Sequence, residues 1–96
     1  MPAVARIGDL CSGHGCYPPR IAIAGSGNVF IDGRAAHRCG DGWITHGCGD
    51  CSEHAGTLSG CSATVSVNGS GLGRTGDSID CGSTVAAGSS TVFAGG

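Results

Sequence analysis

The 96-residue chain contains no lysine, no run of eighteen apolar residues, and a sparse set of bulky apolar side chains: two Phe, one Trp, one Tyr, one Met and a few Ile, Leu and Val. Each shortage excludes something. Five arginines against seven acids leave a formal net charge of −2, which excludes a polycationic nucleic-acid surface. The absence of a long apolar run excludes a membrane-spanning helix. Low hydropathy with high net charge, the mark of disorder, is missing as well. Met1-Pro2-Ala3-Val4-Ala5-Arg6 lacks the charged start and apolar stretch of a secretory signal, so the expectation is a chain that does not leave the cell by that route. A chain this short supports one thin core, so residues 1–96 are expected to form one domain held by something besides burial.

Helical periodicity is equally scarce. No dozen residues keep apolar positions three and four apart without a Gly or Pro intervening. The twenty glycines follow no three-residue period and sit among β-branched residues, which reads as turns. Short alternating runs recur instead, as in Asn28-Val29-Phe30-Ile31-Asp32-Gly33 and Thr64-Val65-Ser66-Val67-Asn68-Gly69. Asp-Gly and Asn-Gly both accept the positive φ of a two-residue hairpin turn.

These runs belong to a repeat. Ser26 through Gly33 aligns with Ser62 through Gly69 at an offset of 36, and Arg38-Cys39-Gly40-Asp41 then falls on Arg74-Thr75-Gly76-Asp77. A third copy is split between the termini: Gly88 through Gly96 repeats Gly25 through Gly33, and Ala5-Arg6-Ile7-Gly8-Asp9 supplies the remainder. The expected fold is therefore all-β, a small pseudo-threefold cone or prism of short hairpins closed by adjacent N- and C-termini. Val29, Val65 and Val92 are equivalent and expected in the core. Phe30 and Phe93 face the other way and are candidates for a partner surface or for packing under the loops.

Three loops follow the Gly-Asp pairs, at 10–24, 42–60 and 78–87, and carry nearly all the His and Cys. A threefold ring would bring His14, His46 and Cys81 together, and such soft or borderline ligands suit tetrahedral zinc. His54, on the longest loop, is the natural fourth ligand. His37 is the alternative: its equivalents Ala5 and Gly73 are small, so it either fills the middle of the prism or reaches the metal along the axis. Cys11, Cys16, Cys48 and Cys51 have spacings compatible with a second zinc site, and disulfides or reduced thiols compete for the same residues. Cys39 is expected as a small packed thiol. Four protein ligands would close the zinc to water, making it structural, and no nucleophile elbow, phosphate loop or catalytic acid pair is present, so an enzyme is not expected. A small zinc-dependent hydrolase or toxin, using Glu53, and a disulfide-stapled binding module are the rival classes.

Pro2-Ala3-Val4-Ala5-Arg6-Ile7-Gly8-Asp9, the Gly-Ser-x-x-Val-Phe phrases and the Arg-x-Gly-Asp phrases together resemble the PAAR-repeat proteins, over nearly the whole chain. Those proteins cap the trimeric spikes of contractile phage tails and bacterial type VI secretion machines. Val4 departs from the family's alanine pair, and Ser66 stands where the other copies have Phe30 and Phe93. The resemblance implies a zinc-stabilised tip ligated by His14, His46, His54 and Cys81, docked as one copy on a trimeric β-helical spike protein. It also implies only transient membrane contact, no nucleic acid, and residence at a virion tail tip or cytoplasmic assembly before delivery out of the cell.

Overall fold

The computed structural model describes residues 1–14, 17–48 and 51–95, with side chains described except at 46–48 and 51–54. The fold is a small compact all-β domain of short antiparallel hairpins, with no helix among the described residues. In chain order the strands are β1 (Phe30–Ile31), β2 (Arg34–Ala35), β3 (Gly42–Cys48), β4 (Cys51–Thr57), β5 (Ser66–Val67) and β6 (Ser70–Gly71). They pair as β1–β2, β3–β4 and β5–β6.

The two shortest hairpins form where the sequence places Asp-Gly and Asn-Gly. Asp32 and Gly33 have φ of 53° and 78°, and Asn68 and Gly69 have 54° and 83°. Two consecutive positive φ values match the right-handed twist of flanking strands, which fixes the registers Ile31↔Arg34 and Val67↔Ser70. Just before each hairpin a buried serine folds the chain. The hydroxyl oxygens of Ser26, Ser62 and Ser89 each accept the N–H groups two residues on at 3.0–3.2 Å and three residues on, at Val29, Val65 and Val92, at 2.9 Å. The three serines are only 2%, 4% and 1% exposed, so the turns are part of the packed interior.

That turn overturns the expectation that Val29, Val65 and Val92 are core. They are 37%, 38% and 37% exposed, because the serine turn holds them ahead of the strand rather than in it. The core positions are two residues further on, at Ile31, Val67 and Ala94, which pack with Val4, Ala36 and Leu72. A second cluster gathers Ala5, Cys11, Ala22, Trp43, Leu58, Ile79 and Val85.

Each Arg-x-Gly-Asp phrase folds into the same clamp. The Asp Oδ2 accepts the Arg N–H and Nε, and Oδ1 accepts Nη2, at 2.8–3.1 Å in Arg6–Asp9, Arg38–Asp41 and Arg74–Asp77. The intervening glycines, Gly8, Gly40 and Gly76, have φ of 89°, 90° and 88°, a region a Cβ makes costly, which is why the phrase needs glycine there. Isolated antiparallel bridges join Arg6 to Ala36, Arg38 to Leu72 and Arg74 to Val4. Between them three backbone bonds close a ring: Ala5 N–H donates to Gly73 at 2.8 Å, Gly73 to His37 at 2.9 Å, and His37 to Ala5 at 3.0 Å. The terminal segments pair as well, with an Ala3↔Phe93 bridge and bonds from Val4 to Val92 and from Ala94 to Pro2.

Cys39 is a correction. It is disulfide-bonded to Cys61 rather than held as a packed thiol. The size pattern of the repeat explains why. Gly25 and Gly88 face Ala35 and Ala3, their missing Cβ lying 3.1 and 3.2 Å from those methyls. In the remaining copy the pair is inverted to Cys61 and Gly71, and a methyl on Gly71 would fall 2.5 Å from the Cys61 sulfur. The glycine makes room for the sulfur that reaches Cys39.

Candidate metal centre and docking surface

The long loop at 42–60 is largely the β3–β4 hairpin. Its register sets His46 opposite His54, with Cys48 opposite Cys51 and irregularities on either side of His46. The side chains of His46, His54, Cys48 and Cys51, and the whole of Cys16, lie outside the described residues.

The other two candidate ligands can be followed to their neighbours. His14 is bridged to Tyr17 and stacks on its ring at 4.7 Å with an interplanar angle of 25°. Its ring also lies over Gly82, 3.7 Å from where a Cβ on that glycine would stand, next to Cys81 in the chain. Cys81 is half-buried, carries no disulfide, and its Cβ is 3.1 Å from the ideal Cβ position of Gly56, two residues from His54. Loops 10–24 and 78–87 are stitched by a Cys11↔Val85 bridge and by Ser12 N–H donating to Thr84 at 2.8 Å. The fold therefore brings His14, Cys81 and the β4 backbone beside His54 into one neighbourhood. Among the described residues no three His, Cys, Asp or Glu side chains are grouped to hold a metal.

His37 lies in the ring of three backbone bonds, against the near ends of loops 10–24 and 42–60. It is fully buried, its Nδ1–H donates to the Ala24 carbonyl at 2.7 Å, and its ring meets Trp43 edge-on with centroids 5.0 Å apart. Burial lowers its pKa, and the bond to Ala24 only partly offsets this. Among the described residues neither His37 Nε2 nor Trp43 Nε1 has a hydrogen-bond partner. Trp43 is a core residue to which the sequence reading assigned no role. Cys11 is buried in the same core, where its sulfur accepts the Arg20 N–H at 3.3 Å.

At the hairpins, Phe30 and Phe93 are 58% and 48% exposed, and with Met1, Val29, Val65 and Val92 they provide large apolar groups at the surface. Such residues in a chain with so few aromatics are a candidate binding surface. No protein-family model matches the chain, nor does any curated protein.

Proposed function

We propose that this chain is a non-enzymatic tip that docks through its hairpin end on a trimeric β-helical spike protein, with zinc fastening its loop end for penetration of a cell envelope. The carrying observation is the closed ring of backbone bonds through Ala5, Gly73 and His37. A trimer ends in three equal surfaces. One polypeptide meets them only by offering three near-equal units around a shared axis, and the cyclic bonding of three repeat copies supports that pseudo-threefold cone. The paired terminal segments support the same closure, since they complete the split third copy.

Exposed Phe30 and Phe93 would seat on the spike, with Ser66 making the third position polar. At the loop end His14, His46, His54 and Cys81 would hold zinc, whose chemistry there is a four-way cross-link that ties the β3–β4 hairpin to the two other loops. The three histidines and one thiol suit zinc as a donor set, and the free Cys81 beside the Gly56 backbone supports their convergence.

Native mass spectrometry of the chain co-expressed with a trimeric β-helical spike protein tests this reading. One chain bound per trimer, lost with Phe30→Asp and Phe93→Asp, is expected, together with one zinc per chain that His54→Ala removes and His37→Asn retains. Absence of both zinc and docking overturns it. The Cys39–Cys61 disulfide favours a second reading, a disulfide-stapled binding module. That module would keep its fold in chelator and lose it in reductant.

A further inference from the structure

Two of the three repeat copies place an oxygen-bearing side chain where a serine hydroxyl and a guanidinium converge. Asp32 accepts the hydroxyls of Ser89 at 2.5 Å and Thr91 at 2.8 Å, and Arg6 Nη1 at 3.0 Å. The equivalent Asn68 carbonyl oxygen accepts Ser26 Oγ at 2.6 Å and Arg38 Nη1 at 3.1 Å. In the remaining copy that position is Gly95. Its backbone carbonyl serves Ser62 Oγ at 2.6 Å, but glycine brings no side-chain oxygen to the guanidinium.

Arg74 is the arginine left over. Asp77 holds its Nε at 3.0 Å and its Nη2 at 2.9 Å, and among the described residues Nη1 donates to nothing. Because a guanidinium is planar, fixing Nε and Nη2 also fixes the direction of Nη1. Asp77 holds the guanidinium in place, with the side chain 14% exposed, so this donor is aimed and, among the described residues, unused. Thr64, the counterpart of Thr91, likewise has among the described residues no carboxylate on its hydroxyl, only Ser62 Oγ at 3.5 Å.

We infer that Arg74 and Thr64 form a vacant carboxylate slot, which an Asp or Glu side chain of the docking protein fills as Asp32 fills its own. The occupied copies define the chemistry, a carboxylate at Asp32 and an amide oxygen at Asn68, each accepting a hydroxyl and a guanidinium Nη1. A preordered donor pair binds without the entropy of ordering a free arginine. Gly95 lies two residues beyond exposed Phe93, which puts the slot beside the docking surface. The slot stands on the bonding pattern alone, whereas assigning its occupant to the docking protein rests on the proposed function.

Guanidinium NMR on the intact chain tests the slot. Hydrogen exchange should be slow at Arg6 and Arg38 and fast at Arg74 Nη1. Sodium acetate should slow Arg74 alone, while sodium chloride at equal ionic strength leaves it unchanged. Gly95→Asp should abolish the acetate response, since a Cβ there meets only the flexible Met1 side chain at 3.3 Å. Equal protection of all three arginines without acetate, or an acetate effect shared by all three or absent at Arg74, overturns the slot. Adding the trimeric spike separates the two ideas: docking that leaves Arg74 in fast exchange overturns the occupant while the function stands. An acetate response without docking leaves the slot and removes the function.

Discussion

His37 and Trp43, both buried, meet edge-on at 5.0 Å, and each presents a ring nitrogen with no hydrogen-bond partner among the described residues. With Nδ1–H committed to Ala24, His37 Nε2 is a bare lone pair in an apolar setting, and the ring is built to stay neutral.

Acid should therefore act through His37. An unfolded histidine takes its proton near pH 6.5, while the folded ring does so only at lower pH. Below about pH 6.5 the unfolded state binds more protons, so stability is full above that value and falls as pH drops, until the folded ring titrates too. Urea unfolding at a series of pH values should show this slope, and His37→Leu should flatten it. An unchanged slope in the variant would assign acid sensitivity elsewhere.

The carboxylates add a second, more acidic step. Burial pushes the Asp41 carboxyl up, but the Arg38 guanidinium and N–H outweigh it and hold it below the usual range; Ser89 and Thr91 hydroxyls, then Arg6, lower Asp32. Stability from these two groups is present above the ordinary carboxylate value of about 3.9 and is lost as pH falls through their folded values. Asp41→Asn should remove part of this second step in the same titration.

The clamps should not be equal in strength. Asp9 is 4% exposed and is shared by Arg6 and Arg34, whereas Asp77 is 12% exposed and, among the described residues, has Arg74 alone as its cation. Asp9→Ala takes a carboxylate from two guanidinium groups, leaving Arg6 with Asp32 and half-exposed Arg34 with the Ile7 carbonyl, and should cost roughly 1–3 kcal/mol. Asp77→Ala should cost less, and equal losses in chemical denaturation would contradict the difference in burial.

Removing the Cys39–Cys61 bridge, which closes a sequence separation of 22, should lower stability by about 3 kcal/mol through the freedom regained by the unfolded chain. The paired Cys39→Ala, Cys61→Ala variant provides the measurement by thermal unfolding. An unchanged midpoint would show that the third hairpin holds without the staple.

Gly73→Ala should be harmful where Gly40→Ala is a matter of backbone alone. A methyl at 73 would lie 2.6 Å from Leu58 Cδ2 and 3.1 Å from the His37 carbonyl, while one at 40 meets nothing within 4 Å but sits at φ 90°. Overpacking costs about 1–3 kcal/mol, so the Gly73 variant should also disturb the His37–Trp43 contact, visible in Trp43 fluorescence. The Gly40 variant should leave that signal unchanged.

Turn chemistry was legible because it is local. Asp32-Gly33 and Asn68-Gly69 turn where their dipeptides predict, and the glycine of each Arg-x-Gly-Asp phrase takes the conformation that only glycine accepts cheaply. Period-two reading failed at Val29 because Ser26 Oγ captures its N–H and keeps it out of the strand, a bond that alternation does not encode. The Cys39–Cys61 pairing left a faint trace, the exchange of Gly and Ala for Cys61 and Gly71 between copies. The candidate ligands were recognised by their positions after the Gly-Asp pairs, and the described structure adds the neighbourhood of His14, Gly82, Cys81 and Gly56.

The sequence by itself determined the all-β character, the hairpin turns and the threefold recurrence of the Arg–Asp phrase, since each depends on the φ preferences and hydrogen bonds of residues a few positions apart. Tertiary structure alone decided that Ser89 reaches Asp32, that Cys39 meets Cys61, and that Arg74 lacks, among the described residues, the side-chain acceptor its two counterparts have. Those contacts join residues from different copies of the repeat. Only the closed packing of the chain sets which groups face one another across its interior.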